Sequence, residues 1–249
     1  TLGMTGDVDT GAIVIEAFVD ILSLFTLKFG AETRLQLDGN DLCALSAFYY
    51  NQKPWIHENT DATGTDVIGG IKIPVQQASD INKPFTLNAD LAEPANLDTE
   101  TISVDGYWTK AAGGKKPIHA VVTALTSAAA AGLDQYNFRV TPVGNLVGLI
   151  IAMPAASDFA EGNVDTSFNR VELVKDGEVV CSLNTNASHM ATEESEYLTK
   201  LPIGDLLHRY KRFDFRDEGF DLKAGVYNIA IDNQDVSDAL RIIPVIVVQ

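Results

Sequence analysis

The chain states one short pattern twice, and the distance between the two statements limits what it can fold into. Arg34-Leu35-Gln36-Leu37-Asp38-Gly39 is followed by Leu42-Cys43-Ala44-Leu45; Arg170-Val171-Glu172-Leu173 leads through Asp176-Gly177 to Val180-Cys181-Ser182-Leu183. Each reads as strand, tight turn, strand. The only two cysteines, Cys43 and Cys181, fall one in each hairpin, 138 positions apart. Further on, Pro84-Phe85-Thr86-Leu87 answers to Gly219-Phe220-Asp221-Leu222, and the apolar segment from Ile102 to Trp108 to that from Leu240 to Gln249. A repeat of 20 to 50 residues marks a solenoid; one separated by well over 100 marks two copies of a whole domain.

Period-two alternation runs through both halves and makes the expected domains β-rich. Ala12 to Val19 and Leu22 to Phe29 form a strand pair ahead of the first hairpin, and Phe138 to Val143 with Leu146 to Met153 fill the same place in the second half. Longer excursions come next, at 48–70 and 184–209. In the second, Leu198, Leu201, Leu206 and Leu207 with His208, Arg209 and Lys211 suit a short helix carrying positive charge at its C-terminal end. Each copy then closes with three strands: Gly70–Val75, Phe85–Leu91 and Ile102–Trp108, matched by Phe213–Arg216, Val226–Ile231 and Ile242–Val248. Short strands with Gly, Pro, Asn and Asp between them point to antiparallel sandwiches. The expected fold is all-β: two tandem eight-stranded antiparallel jelly rolls with one or two short helices. Lys110 to Lys116, with Gly113-Gly114, is the linker, giving domains 1–113 and 114–249. Residues 117–133 read equally as strand, from His119 to Leu125, or as helix, from Ser127 to Ala131.

With 249 residues, 46% of them apolar, the chain can bury two ordinary cores. The longest membrane-span candidate, Ile13 to Phe29, is interrupted by Glu16, Asp20 and Lys28, so no transmembrane helix is expected. No basic-then-apolar leader opens the sequence. The formal charge is −16, spread over both halves, with 16 acidic against 6 basic residues in 1–113 and 18 against 12 in the remainder. Such a surface repels phosphates, and direct nucleic-acid binding is not expected.

A duplicated jelly roll with hairpins such as Arg170-Val171-Glu172-Leu173-Val174-Lys175-Asp176-Gly177-Glu178-Val179-Val180-Cys181 resembles the compact double jelly-roll major capsid proteins of tailless double-stranded DNA viruses with an internal membrane. The resemblance covers the whole chain in architecture and rests on a strand plan, not on a sequence fingerprint. It implies a homotrimer, in which three chains of two similar domains give a pseudo-hexameric capsomer. It further implies neighbouring capsomers and minor capsid proteins as partners, an internal lipid membrane beneath, and a place in the icosahedral shell of the virion.

The search for chemistry returns no catalytic, cofactor or metal residue. His57, His119, His189 and His208 are isolated, and no metalloprotease helix, nucleophile elbow, phosphate loop or paired-cysteine motif is present. Cys43 and Cys181 read as small buried hydrophobes in mid-strand. Asp7-Val8-Asp9-Thr10 and Asn163-Val164-Asp165-Thr166 offer oxygen ligands for calcium without the ligand series of an EF-hand, and read first as turns. His208-Arg209-Tyr210-Lys211-Arg212 with Arg216 is the one dense basic patch, most simply a helix end paired with local carboxylates. Trp55, Trp108, Tyr49 and Tyr50 offer a sugar platform or, more simply, core and subunit contacts. Asn186-Ala187-Ser188 matches a glycosylation acceptor, a pattern frequent by chance. The expected function is therefore that of a structural capsid protein and not an enzyme. The alternatives are an extracellular two-domain carbohydrate-binding or adhesin protein and, after it, a glycan-processing hydrolase on two jelly rolls.

Overall fold

Leu22 to Phe29 and Glu32 to Leu37 alternate about a two-residue turn, and that hairpin is the first of two on which the architecture is built. The computed structural model describes residues 2–8, 21–50, 55–60, 65–71, 84–92, 97–104, 118–121, 132–138, 144–152, 168–184, 210–214, 220–221, 227–233 and 241–248. The chain divides into two units, formed chiefly by Thr1–Lys115 and by Lys116–Gln249.

Unit 1 contains β1 (Leu2–Val8), β2 (Leu22–Phe29), β3 (Glu32–Leu37), α1 (Gly39–Tyr50), β4 (Trp55–Thr60), β5 (Thr65–Ile71), β6 (Phe85–Leu91) and β7 (Leu97–Val104). Its strands pair as β4-β5-β1-β7 and as β3-β2-β6. Unit 2 contains β8 (Ile118–Val121), β9 (Gly132–Phe138), β10 (Gly144–Ala152), β11 (Phe168–Lys175), β12 (Glu178–Asn184), β13 (Tyr210–Asp214), β14 (Phe220–Asp221), β15 (Tyr227–Asn233) and β16 (Arg241–Val248). These pair as β12-β11-β15-β9 and as β13-β10-β16-β8, with β14 also on β10. All these pairings are antiparallel.

The two units share a pairing plan. In unit 1, β2 carries β3 and β6, and β1 carries β5 and β7; in unit 2, β11 carries β12 and β15, and β10 carries β13 and β16. For the first trio the match extends to single residues. Adding 146 to the β2–β3 register, from Phe25↔Leu37 to Phe29↔Glu32, reproduces β11–β12, from Val171↔Leu183 to Lys175↔Glu178. Each second strand has one extra residue at the same point, Arg34 in β3 and Val180 in β12. Pairing with the third strand also matches, Phe25↔Ala89 answering to Val171↔Ile231, and Ser23 and Asn169 are the extra residues there. The Ser23 hydroxyl donates to the Asp90 carbonyl, 2.9 Å away. Bulges bend a strand and fix its register, so their recurrence makes the two trios one device used twice.

That correspondence replaces the repeat expected from sequence. The counterpart of β11 is β2, not Arg34 to Leu37, which belong to β3; the counterpart of Leu146 to Met153 is β1, not Leu22 to Phe29. The first Asp-Gly pair makes no hairpin. Asp38 instead caps α1: its carboxylate accepts from the Asp41 N–H at 2.8 Å and its carbonyl from the Leu42 N–H at 3.0 Å. The next residues, Leu42, Cys43, Ala44, Leu45, Ser46, Ala47 and Phe48, are apolar or small without alternation and are all buried. Such a helix is buried all round. α1 lies against β2 and β3 of one sheet and β5 of the other, in the core of unit 1.

The second Asp-Gly pair turns as expected. Asp176 and Gly177 have φ of 51° and 88°, the left-handed pair that a two-residue type I′ turn needs. The equivalent turn in unit 1 is Gly30-Ala31, with Gly30 at φ 60°.

The closing strands lie where expected with shifted ends: β5, β7 and β13 begin earlier than predicted, β6 matches, and β15 and β16 agree with the predicted segments to within two residues. The excursion at 48–70 contains the β4–β5 hairpin. Of the doubtful stretch, Ile118–Val121 is strand β8 and Gly132 opens β9. The strand expected at 12–19, the linker expected at 110–116 and residues 195–209 of the helix expected over 195–210 lie outside the described residues, and Tyr210 opens β13. In β10, Leu149, Ile150 and Ile151 are all fully buried, as are Ile242, Ile243 and Val245 in β16, so both faces of these strands are covered.

Candidate functional site

Among the described residues, those with chemical potential fall on separate elements. His57 stands in β4 opposite Ile68, and His119 in β8 opposite Ile246, in different units. His189 and His208 lie outside the described residues. Among the described residues no three His, Cys, Asp or Glu side chains cluster as a metal site would need. Asp7 and Val8 end β1, so the first acidic segment begins in a strand; Asp9, Thr10 and residues 163–166 lie outside the described residues.

The two cysteines are not equivalent, contrary to expectation. Neither forms a disulfide. Cys43 is in α1 and fully buried; burial pushes its thiol far above the usual range, and the Asp38 carboxylate adds to the shift. A thiol so held is neutral and a poor nucleophile. Cys181 is in β12 opposite Leu173, half-buried, and its counterpart in unit 1 is Leu35.

The basic patch resolves differently from the expected helix end. Tyr210, Lys211 and Arg212 form part of β13, paired with Ala152, Ile151 and Ile150. Tyr210 is buried and Arg212 half-buried. Trp55 opens β4 opposite Gly70, and Tyr49 and Tyr50 end α1. Trp108 and Asn186 lie outside the described residues.

The arrangement offers surface more than a site. Two large apolar side chains are exposed among the described residues, Leu91 (46%) in β6 and Val179 (53%) in β12. Each strand ends its sheet. A terminal strand presents unpaired N–H and C=O groups that another chain can pair with. Two ion pairs lie on these trios: Arg34 to Glu32 at 2.7 Å and Arg170 to Glu172 at 3.2 Å. Glu172 is 8% exposed, and its counterpart Thr26 is 9% exposed, so both units bury a polar group at the same point of the central strand. Arg170 bears directly on Glu172, since a buried carboxylate is tolerated when paired. Sequence reasoning missed this pair of positions because Thr and Glu share no type; only the register relates them.

Comparison with known proteins gives no family model that matches and no curated protein that matches. Solved structures do match over nearly the whole chain. The chain is similar to one in the atomic structure of Sulfolobus Turreted Icosahedral Virus, with TM-score 0.64 and 13% identity over 98% of this chain and 81% of that one. It is similar to the major capsid protein P2 from bacteriophage PM2, with TM-score 0.53 and 12% identity over 99% and 87%. It is also similar to a chain of the PBCV-1 virus capsid, with TM-score 0.51 and 9% identity over 98% and 84%. At these identities the likeness establishes the fold: the chain is a double jelly roll.

Proposed function

We propose that the chain is a major capsid protein, a structural component of an icosahedral virion that assembles as a pseudo-hexameric homotrimer. The observation that carries this reading is the likeness in fold, along 98% or more of the chain, to proteins from three viral capsids. The register-identical trios supply its physical basis. Two similar walls per chain, three chains about a threefold axis, give six similar sides, and closed cyclic symmetry fixes the size of the unit. The two jelly rolls correspond to residues 1–113 and 114–249.

On this reading function resides in buried area between neighbours and not in a reaction. The chain acts without cofactor or catalytic residue, and its acidic surface makes contact with other capsomers, minor capsid proteins and an underlying lipid membrane instead of nucleic acid. Electron microscopy of the purified chain tests it. Threefold particles with a hexagonal outline, packing into sheets or shells, are expected; featureless single-chain particles under all salt conditions contradict it. No observation in the structure favours the carbohydrate-binding or hydrolase readings over this one.

A further inference from the structure

Asp-Gly occurs at 38–39 and at 176–177, and the structure treats the two pairs in opposite ways; a third, Asp105-Gly106, lies outside the described residues. The dipeptide has a chemistry of its own. Glycine leaves its backbone nitrogen unhindered, so that nitrogen can reach the side-chain carboxyl carbon of the preceding aspartate and close a five-membered imide. Closure requires the local backbone to leave its folded conformation. The free energy of that local opening therefore sets the rate.

At the first pair opening is costly. The Asp38 carboxylate accepts from the Asp41 N–H at 2.8 Å, its carbonyl accepts from the Leu42 N–H at 3.0 Å, and Gly39 is buried at the start of α1. Releasing its nitrogen unwinds a helix whose residues Leu42 to Phe48 are all buried. At the second pair opening is cheap. Asp176, Gly177 and Glu178 are exposed, and a Cβ at Gly177 would meet nothing within 4 Å. Asp176 and Gly177 lie beyond Lys175↔Glu178, the last pair of the β11–β12 ladder. Opening this tip displaces exposed residues and leaves the core in place.

We infer that Asp176 is a self-modification site, which converts to isoaspartate in the folded chain while Asp38 is preserved. The Gly177 nitrogen bonds to the side-chain carboxyl carbon of Asp176. A C–O bond of that carboxyl breaks, and its oxygen leaves as water with the amide proton and one proton from solvent. Water then adds to the imide ring. Breaking the new bond restores aspartate; breaking the original peptide bond leaves the chain running through the side-chain carbon, with the former main-chain carbonyl as a free carboxylate. Water is the only reactant, and the mass is unchanged. The product inserts one methylene into a two-residue turn, which no longer closes as type I′. Pairing of β11 with β12 then loosens from Lys175↔Glu178 inward. The inference rests on the fold and not on the capsid reading, which stands or falls by particle mass and shape.

Incubation of the whole chain in heavy-oxygen water at neutral pH and body temperature tests it, because ring opening places an oxygen-18 in the residue that formed the imide. Peptide mapping over a series of weeks reads the label site by site, and an isoaspartyl methyltransferase with a labelled methyl donor reads the isoaspartate. Asp176 is expected to take up label about tenfold or more faster than Asp38 in the folded chain, with the two rates converging in guanidinium. Asp176→Glu, whose side chain would have to close a six-membered ring, is expected to lose the label at that position and to leave the Asp38 rate unchanged. Equal rates at Asp38 and Asp176 in the folded chain overturn the inference. So does an Asp176 that stays unlabelled over a period in which the unfolded chain takes up label at both sites.

Discussion

Leu35 and Cys181 occupy one position in two hairpins: Leu35 pairs with Leu27 and Cys181 with Leu173, and each lies next to a one-residue bulge, at Arg34 or Val180. The inward partners Leu27 and Leu173 are both buried. Truncating either removes the same contact from its own unit. Leu27→Ala and Leu173→Ala are each expected to lower stability by about 2–5 kcal/mol, against about 0.5 kcal/mol or less for Val179→Ala at its exposed site. Urea unfolding of the three variants measures this, and a Val179→Ala cost equal to the other two contradicts the burial pattern.

The cap on α1 gives a sharper test of the corrected first Asp-Gly pair. Asp38→Ala removes the side-chain acceptor of the Asp41 N–H and is expected to cost about 0.5–2 kcal/mol, with Asp38→Asn retaining most of the stability. A hairpin at that point would instead be weakened by loss of Gly39 and little affected by Asp38→Ala. Equilibrium denaturation of the variants separates the two.

The second Asp-Gly pair predicts the opposite sensitivity. A Cβ at Gly177 meets no neighbouring atom within 4 Å, but φ of 88° is unfavourable for an L side chain. Gly177→Ala is expected to cost about 1–2 kcal/mol from backbone strain alone, and Asp176→Asn, which keeps a residue tolerant of the left-handed region, close to nothing. Thermal unfolding reads both, and a neutral Gly177→Ala contradicts the turn type.

The two thiols differ in access, Cys43 being buried and Cys181 half-buried. With a thiol reagent in native buffer Cys181 is expected to react and Cys43 only on unfolding; Cys181→Ser abolishes the fast phase. Because burial raises the Cys43 pKa in the folded state, the folded form holds that proton more tightly than the unfolded chain. Its contribution to stability is full below the unfolded thiol value of about 8.5 and is lost progressively as pH rises above it. Stability measured between pH 8 and 10 falls less steeply in Cys43→Ala than in the parent chain; identical slopes contradict the buried thiol.

The sequence carried the fold class through its period-two segments, and the positions of β2, β6, β10, β15 and β16 were legible to within a few residues. The residue-level repeat was not. Its two Asp-Gly pairs invite alignment at 138 positions, yet the true offset of the hairpins, 146, links Leu35 with Cys181 and Thr26 with Glu172, pairs with no shared identity. Inward positions of a sandwich require only apolar residues of suitable size, so register survives while sequence drifts. The error at Asp38 has a local cause: Asp-Gly opens a type I′ turn or caps a helix, and the residues C-terminal to it decide between the two. Val179 and Val180 favour a strand; Leu42, Ala44, Leu45 and Ala47, with Asp41 three places after Asp38, favour a helix.

On the proposed capsid reading, three copies of this chain make one closed unit. Native mass, by light scattering or mass spectrometry across a tenfold dilution in moderate salt, measures it directly. A persistent species of about 81 kDa, three times the 26.9 kDa chain, is the predicted result. A strict monomer of 26.9 kDa at every concentration contradicts the account.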